Sequence, residues 1–234
     1  MATRVIHVQS GTYLPAADEA AGVLRAGGLV GFPTETVYGV AARATHAAAL
    51  ERLRDLKDRP NRPFGVHLGD AAEVHRYVRR LPQPAANLIA KGWPGPITIL
   101  LRAGGELADE KLQKLGLHSV LCHEDVIGLR CPDSPVTGAL LRAVTDPVVA
   151  SSANLAGKPS PRSAEEALEQ LDGRIDLLLD DGPTRYGRDS TIVDFSGGGW
   201  KVDRQGVHDA RAIRQLATWC LRQSWTAFNP PSSL

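Results

Sequence analysis

GFPTETVYGVAARA, residues 31–44, is the stretch on which the reading of the fold turns. With Leu29 and Val30 ahead of it, it begins as a buried strand, then spends Thr34, Glu35, Thr36 and Tyr38 where the apolar run should continue. A strand that stops being apolar in mid-course needs a reason for each of those side chains.

Upstream, PAADEAAGVLRA (15–26) repeats apolar positions at helical spacing and stops at Gly27 and Gly28, so a helix feeds straight into the strand LVGF. Downstream, Thr45 is placed to cap a helix through about Lys57, with Leu50, Leu53 and Leu56 along one face. FGVHL (64–68) reads as the next strand. Asp70 with Glu73, and Ser163 with Glu166, have capping-box spacing and mark two more helix starts, and Ser134–Pro135 opens another through about Val144. ITILLRA, SVLC, VIGLRC, PVVAS, IDLLLD, STIVDF and WKVDR supply further strand candidates. Helices and strands mix without regular alternation or internal repeat, which predicts a single α+β domain around a mixed sheet. The tail AFNPPSSL is polar and proline-rich enough to be loose.

At 234 residues and 43% hydrophobic content the chain is long enough to bury a core of its own. Its 27 basic and 26 acidic residues leave a formal charge of +1, so bulk attraction to nucleic acid or to a membrane is not expected, although a local basic patch is compatible with it. Cys122, Cys131 and Cys220 form no CxxC pair and meet no histidine at zinc-finger spacing, which argues against a disulfide framework or a zinc site and for a reducing compartment. MATRVIHVQSG lacks the apolar core of a signal peptide, and no stretch reaches the ~18 apolar residues of a membrane span. A soluble, cytoplasmic protein with no membrane partner is expected.

Three polar clusters carry chemistry. KDRPNRP (57–63) sets Lys57, Arg59 and Arg62 between a helix end and a strand with prolines stiffening the backbone, a loop able to present cations to a polyanion; the same composition fits a solvated loop complementing a helix C-terminus. SSANLAGKPSPRS (151–163) follows the strand PVVA, and Ser151, Ser152, Asn154 and Gly157 would let backbone amides and hydroxyls approach a ligand, as phosphate-binding turns do, yet there is no GxxxxGK[ST] and a plain capping loop fits the spacing as well. In GRDSTIVD (187–194) Ser190 and Thr191 stand where a strand begins, and Arg204 ends the next strand across a turn at glycines 197–199. His67 sits inside FGVHL as a core histidine or a ligand contact, whereas His118 and His123 lack a third ligand and read as surface residues. WPGP (93–96) is a rigid turn. No nucleophile–base pair is persuasive, so cations, hydroxyls and glycine-rich turns point to a reaction at phosphate that works by positioning and charge neutralisation.

In order along the chain, PTETVYGV (33–40), KDRP (57–60), VH (66–67), WPGPIT (93–98), LRCP (129–132), SSANLAGKPSP (151–161), DSTIVD (189–194) and DRQG (203–206) together closely resemble the threonylcarbamoyl-AMP synthase family, the YrdC-like domain, over about residues 12–207. The resemblance implies an α+β fold with a twisted, mixed, largely antiparallel sheet flanked by helices, a catalytic domain at 1–207, and a C-terminal helix, DARAIRQLATWCLRQ, with a loose tail at 208–234. It also implies the short, single-domain form, since only about 28 residues follow Gly206.

The activity so implied takes L-threonine, bicarbonate or CO2 and ATP to threonylcarbamoyl-adenylate, pyrophosphate and water. Partner enzymes, the tRNA threonylcarbamoyl-transfer machinery, then modify the adenosine 3′ of the anticodon. Residue by residue, the resemblance gives Lys57, Arg59 and Arg204 the triphosphate, and Arg130 the threonine carboxylate. Thr34, Thr36, His67, Ser152 and Ser190 surround the amino acid, and Asn154, with the basic Arg62 and Arg162, faces the nucleotide. Mg2+ is expected to be held mainly through the ATP phosphates, with no dedicated metal site. The polar run of residues 34–38 then becomes the threonine-side wall of a cleft.

Three positions depart from the family pattern. Arg62 stands where asparagine is usual, with Asn61 one place earlier; Arg162 replaces a threonine, and Gln205 a proline. Two other functions fit the same blocks: a module that binds tRNA or other structured RNA without catalysis, which would keep the arginines but not need Thr34, Thr36 or Ser190, and a carbamoyl-phosphate-dependent adenylating relative.

Overall fold

The computed structural model describes residues 2–8, 11–60 and 62–218. β1 (Arg4–His7) precedes α1 (Tyr13–Arg25), which buries an alanine-rich stripe, Ala16, Ala17, Ala20 and Ala21, closed by Leu24. β2 (Val30–Phe32) and β3 (Gly39–Arg43) run antiparallel on either side of the polar turn. α2 (Ala47–Lys57) buries Leu50, Leu53 and Leu56 as expected, but its cap is His46, whose Nδ1 accepts from the Ala49 amide at 3.3 Å. Thr45 instead donates its hydroxyl to Asp146 at 2.9 Å, a carboxylate being the stronger acceptor.

β4 (Gly65–His67) is followed by a 3₁₀ turn, Ala71–Arg76, closed by the reciprocal Asp70–Glu73 capping box. Then come α3 (Gln83–Gly92), β5 (Ile97–Arg102), α4 (Glu110–Lys114), α5 (His118–Leu121), β6 (Cys122–His123) and β7 (Val126–Arg130). SVLC is therefore mostly helical rather than a strand: Leu117 and Leu121, four residues apart, are both buried, which is helical spacing. α6 (Pro135–Ala143), capped by Ser134, β8 (Val148–Ser152), α7 (Ala164–Leu171), capped by Ser163, β9 (Leu177–Asp180), β10 (Thr191–Asp194), β11 (Lys201–Arg204) and α8 (Ala210–Thr218) complete the described chain. Residues 219–234, which hold Cys220, the end of the expected C-terminal helix and its tail, lie outside the described residues, as does Asn61.

The strands form one sheet in the order β1-β9-β2-β3-β8-β4-β7-β5-β10-β11, with β6 on β7. It is mixed and largely antiparallel: β2–β3, β3–β8, β4–β8, β5–β7, β6–β7 and β10–β11 are antiparallel, against parallel β1–β9, β2–β9, β4–β7 and β5–β10.

Register sorts the two faces. Ala42, Val149, Val66, Leu129, Ile99 and Val193 are successive cross-strand neighbours, all in the buried core. The other face carries Val30, Ala41, Val148 and Ala150 at one end, covered by α1 and α6. Beyond α6 no described element covers that second face, and among the described residues Gly65, Gly128, Leu100, Thr98 and Ile192 on it are only half-buried. A sheet covered on one side and half covered on the other makes a cleft. Among the described residues no helix is long and apolar enough to cross a membrane.

Candidate active site

Pairing register alone assembles the cleft floor. Ser152 lies opposite Gly39, Ala150 opposite Gly65, His67 opposite Arg130, Thr98 opposite Ile192, and Ile192 opposite Arg204. All of these residues line one cavity, joined by Thr34, Val37, Tyr38, Asp189 and Ser190. Six of the residues expected from sequence, Thr34, His67, Arg130, Ser152, Ser190 and Arg204, are thus brought together from β4, β7, β8, β11 and two loops. Gly39 is glycine for a packing reason, because a Cβ there would stand 2.6 Å from the Phe32 ring.

The polar turn of residues 33–38 builds the wall. Thr34 Oγ1 donates to Val37 O at 2.7 Å and accepts from the amides of Thr36 (3.1 Å) and Val37 (3.3 Å), locking the turn on itself. Its single proton being used, the 2.8 Å contact with Thr36 Oγ1 has Thr36 as the donor. Thr36 Oγ1 accepts in turn from Arg130 Nη2 at 2.6 Å. Glu35 is buried beside it and accepts from the same Nη2 at 2.9 Å, while its other oxygen takes the Asp133 amide at 3.1 Å. Tyr38 donates its hydroxyl to Gly182 O at 2.7 Å, and burial holds its phenol far above the ordinary range. With that, every polar side chain of the opening stretch has a partner. Arg130 Nε, in a side chain itself only 8% exposed, is buried with none.

His67 Nδ1 lies 3.3 Å from Gly65 O; a carbonyl only accepts, so Nδ1 carries the proton and Nε2 remains an acceptor. Burial, and then the charge of Arg130, push its pKa down to about 3, so the ring is neutral at physiological pH. Ser190 is buried, with its Oγ 2.8 Å from Thr98 Oγ1. Arg204 pins itself there, donating through Nε and Nη2 to Ser190 O at 3.2 and 3.0 Å and through Nη2 to Ser190 Oγ at 3.1 Å, with Asp189 3.9 Å from Nη1.

Lys57 takes a different position from the one its type suggests. It is buried at the end of α2, and its ammonium donates to Ser152 O (2.9 Å), Asn154 O (2.7 Å) and Asn154 Oδ1 (2.9 Å), which uses all three protons. Burial, aided by Arg59, lowers its pKa to about 8. Asn154 is folded into the same loop: Nδ2 donates to Leu155 O at 2.8 Å and Lys158 O at 2.7 Å, and Oδ1 also accepts from Ser152 Oγ at 2.5 Å. Arg59 and Arg62 are exposed, and among the described residues their side chains make no hydrogen bond or ion pair, although the Arg59 amide donates to Arg54 O at 3.2 Å. Arg162 is exposed and turned toward Glu166 at 3.4 Å. None of Thr36, Lys57, Arg59, Arg62, Asn154 and Arg162 lines the cavity floor. The cleft does continue, past Val37, Asp189 and Arg204, into a groove lined by Ser160, Gly187, Arg188, Gln205 and Gly206.

Sequence reasoning missed two partners here. Glu35 stood in the decisive stretch with no role given to it, and its signal was a carboxylate where a buried strand should run on. Thr98 broke the apolar run of ITILL and was absorbed into a strand. Among the described residues no group of three or more His, Cys, Asp and Glu is placed to hold a metal ion, and Asp189 is the carboxylate in the cleft lining.

A half-covered mixed sheet whose open face presents an arginine, a neutral imidazole and a ring of hydroxyls is a domain whose cleft is chemically suited to a small polar anion. The chain belongs to the Sua5/YciO/YrdC family, whose signature, described as "Telomere recombination", matches residues 22–206. It is 37% identical over 180 residues to the threonylcarbamoyl-AMP synthase of Bacillus subtilis, covering 76% of this chain and 50% of that protein. It is 35% identical over 178 residues to the synthase of Pyrococcus abyssi, again covering 76% and 50%. The crystal structure of P. abyssi Sua5 complexed with L-threonine superposes with a TM-score of 0.81 at 31% identity, covering 92% of this chain and 61% of that one. The chain thus spans about half the length of these two curated relatives.

Proposed function

We propose that this chain is an L-threonylcarbamoyladenylate synthase, a nucleotidyltransferase that makes threonylcarbamoyl-AMP and pyrophosphate from L-threonine, bicarbonate or CO2, and ATP, for modification of tRNA next to the anticodon. The observation that carries the reading is Arg130, a guanidinium nine-tenths buried in a hydroxyl-lined cleft with an Nε that has no partner. A buried donor of that kind is costly unless a ligand completes it, and a carboxylate suits the guanidinium fork. Relatives named as synthases, and one crystallised with L-threonine, give that carboxylate an identity.

With the carboxylate on Arg130, the amino acid lies among Thr34, His67, Ser152 and Ser190, while Thr36, buried behind the cavity, holds Arg130 Nη2. Neutral His67 offers Nε2 as an acceptor for its ammonium or hydroxyl. The ammonium gives its proton to solvent, and the free amine adds to bicarbonate with loss of water, or to CO2 with release of a second proton to solvent. The carbamate oxygen then attacks the α-phosphorus in line, and the bond to pyrophosphate breaks. Charge gathering on the phosphates is met by Arg204 on one wall and, on the other, by Arg59, whose side chain makes no ion pair among the described residues.

Lys57 serves the same end by clamping the Ser152–Asn154 loop, and Asn154, Arg62 and Arg162 lie toward the nucleotide side. The lining suits Mg2+ carried on the ATP phosphates near Asp189 and offers no cage of its own. The product passes to the transferase machinery that acts on tRNA, in the cytoplasm.

The test is pyrophosphate release from ATP and bicarbonate with and without L-threonine, with the mass of the nucleotide product. Threonine-dependent release with the threonylcarbamoyl-adenylate mass is expected. Release driven instead by carbamoyl phosphate would replace this function with that of an adenylating relative, and RNA binding without release would leave only a binding module.

A further inference from the structure

Gly65 opens β4, where glycine adds no side chain to the sheet, and nothing in the fold asks for it. It is paired with Ala150 in an unbroken register that runs on through Val66↔Val149 and His67↔Val148, so no bulge explains it. Its φ is outside the left-handed region, and a Cβ built on it would meet only Gly128 O, at an ordinary 3.6 Å. The contrast with its neighbours is sharp: a Cβ would stand 2.3 Å from a Leu178 methyl at Gly31 and 2.6 Å from the Phe32 ring at Gly39. Those glycines are required by packing.

Gly65 instead faces the cleft, two residues from His67 on the same face, and lines the cavity that holds Arg130 and Ser190. Gly128 beside it on β7 is also glycine, but a Leu100 methyl lies against it, so the bare backbone exposed to the cavity here is that of Gly65 itself. A strand that forgoes a side chain with room for one leaves that room to a ligand.

We propose that Gly65 is a specificity-determining residue: it keeps the floor clear for the side chain of the bound amino acid, and the size of residue 65 sets the largest amino acid the site accepts. This rests on the synthase reading above. A floor open at Gly65 takes more than the methyl of threonine, so the ethyl homologue of threonine, 3-hydroxynorvaline, also fits the wild-type cleft. A methyl or isopropyl group at residue 65 excludes the larger side chain first, and one methylene in a pocket is worth roughly 10–200-fold.

The experiment compares wild type, Gly65→Ala and Gly65→Val. Binding of L-threonine and of 3-hydroxynorvaline is measured by calorimetry, KM values for both and for ATP by pyrophosphate release, and folding by thermal melting. Wild type is expected to take both amino acids within about tenfold of each other. Gly65→Ala should melt no lower than wild type, since the site accepts a Cβ and glycine carries the larger unfolded-chain entropy. Gly65→Val should weaken the homologue at least tenfold more than threonine, with KM for ATP unchanged within twofold.

Equal losses for the two amino acids, a loss confined to ATP, rejection of the homologue by wild type, or a lower melting temperature for Gly65→Ala would each overturn the assignment. If wild type binds both amino acids yet releases no pyrophosphate with either, the synthase reading fails while the binding ratio still reads the role of Gly65.

Discussion

Arg130 Nη2 lies 2.9 Å from Glu35 Oε1, and this pair, with side chains 8% and 0% exposed, ties the end of β7 to the turn between β2 and β3. A buried ion pair gains little over a hydrophobic pair in stability, but it is costly to break from one side. Its position suggests what it is for: Glu35 and Thr36 hold one arm of the guanidinium, leaving the buried Nε for a ligand. Glu35→Gln keeps the shape and removes the charge. Threonine affinity should fall by at least tenfold while ATP affinity changes less than twofold, and urea unfolding should show a loss of about 3–5 kcal/mol. Unchanged threonine binding, read by calorimetry, would mean that Arg130 needs no such partner.

The Arg59 side chain is exposed and makes no hydrogen bond or ion pair with another described residue, so truncating it costs the fold little. If it meets the triphosphate, Arg59→Ala should melt with wild type and lose about 2–4 kcal/mol of transition-state stabilisation, the scale of a lost oxyanion donor. Steady-state pyrophosphate release measures this. Full activity would remove Arg59 from the site.

Lys57 gives a pH dependence of defined sign. With a pKa lowered to about 8, it loses its proton just above physiological pH, and the neutral amine holds Ser152 O, Asn154 O and Asn154 Oδ1 more weakly. KM for ATP should therefore rise as pH passes through about 8, even as a larger fraction of threonine amine becomes free base. Lys57→Arg, charged throughout, should abolish that alkaline rise in KM for ATP, and persistence of the rise in the variant would exclude Lys57 as its source.

Much of the sheet was legible, because β2, β5, β7, β8, β9 and β10 are short apolar or β-branched runs bounded by turn residues. β1 was not, since only two half-buried residues, Val5 and Ile6, stand between exposed Arg4 and His7 at a sheet edge, with no alternation, and α3 escaped because its helix begins behind Pro82 without a side-chain cap. The cleft itself followed from motif blocks, but its geometry did not. That Lys57 faces a loop rather than open solvent, and that Glu35 anchors Arg130, depends on pairings across 95 residues or more that no local spacing encodes. Polar residues interrupting apolar strands, at Thr34–Thr36 and Thr98, were the local trace of the site.

His67 links the site to acid stability. Its pKa is pushed down to about 3 from an ordinary 6.5, so it is neutral in the folded chain across the range in which the unfolded chain takes up a proton. Above about 6.5 both states are neutral and the folded state keeps its full advantage; as pH falls from about 6.5 toward 3 the unfolded state alone gains a proton and stability is lost. Carboxylates contribute their own acid losses, so the informative quantity is a difference between variants. His67→Gln, which offers a neutral acceptor without titrating, should lose less stability than wild type between pH 7 and pH 4, measured by urea unfolding at each pH. The same variant should show weaker threonine binding with unaltered ATP binding, because His67 sits opposite Arg130 in the cleft, on the side proposed to hold the amino acid. Parallel stability curves for the two proteins would show that His67 titrates normally in the fold, and its place as a permanently neutral acceptor would have to be given up.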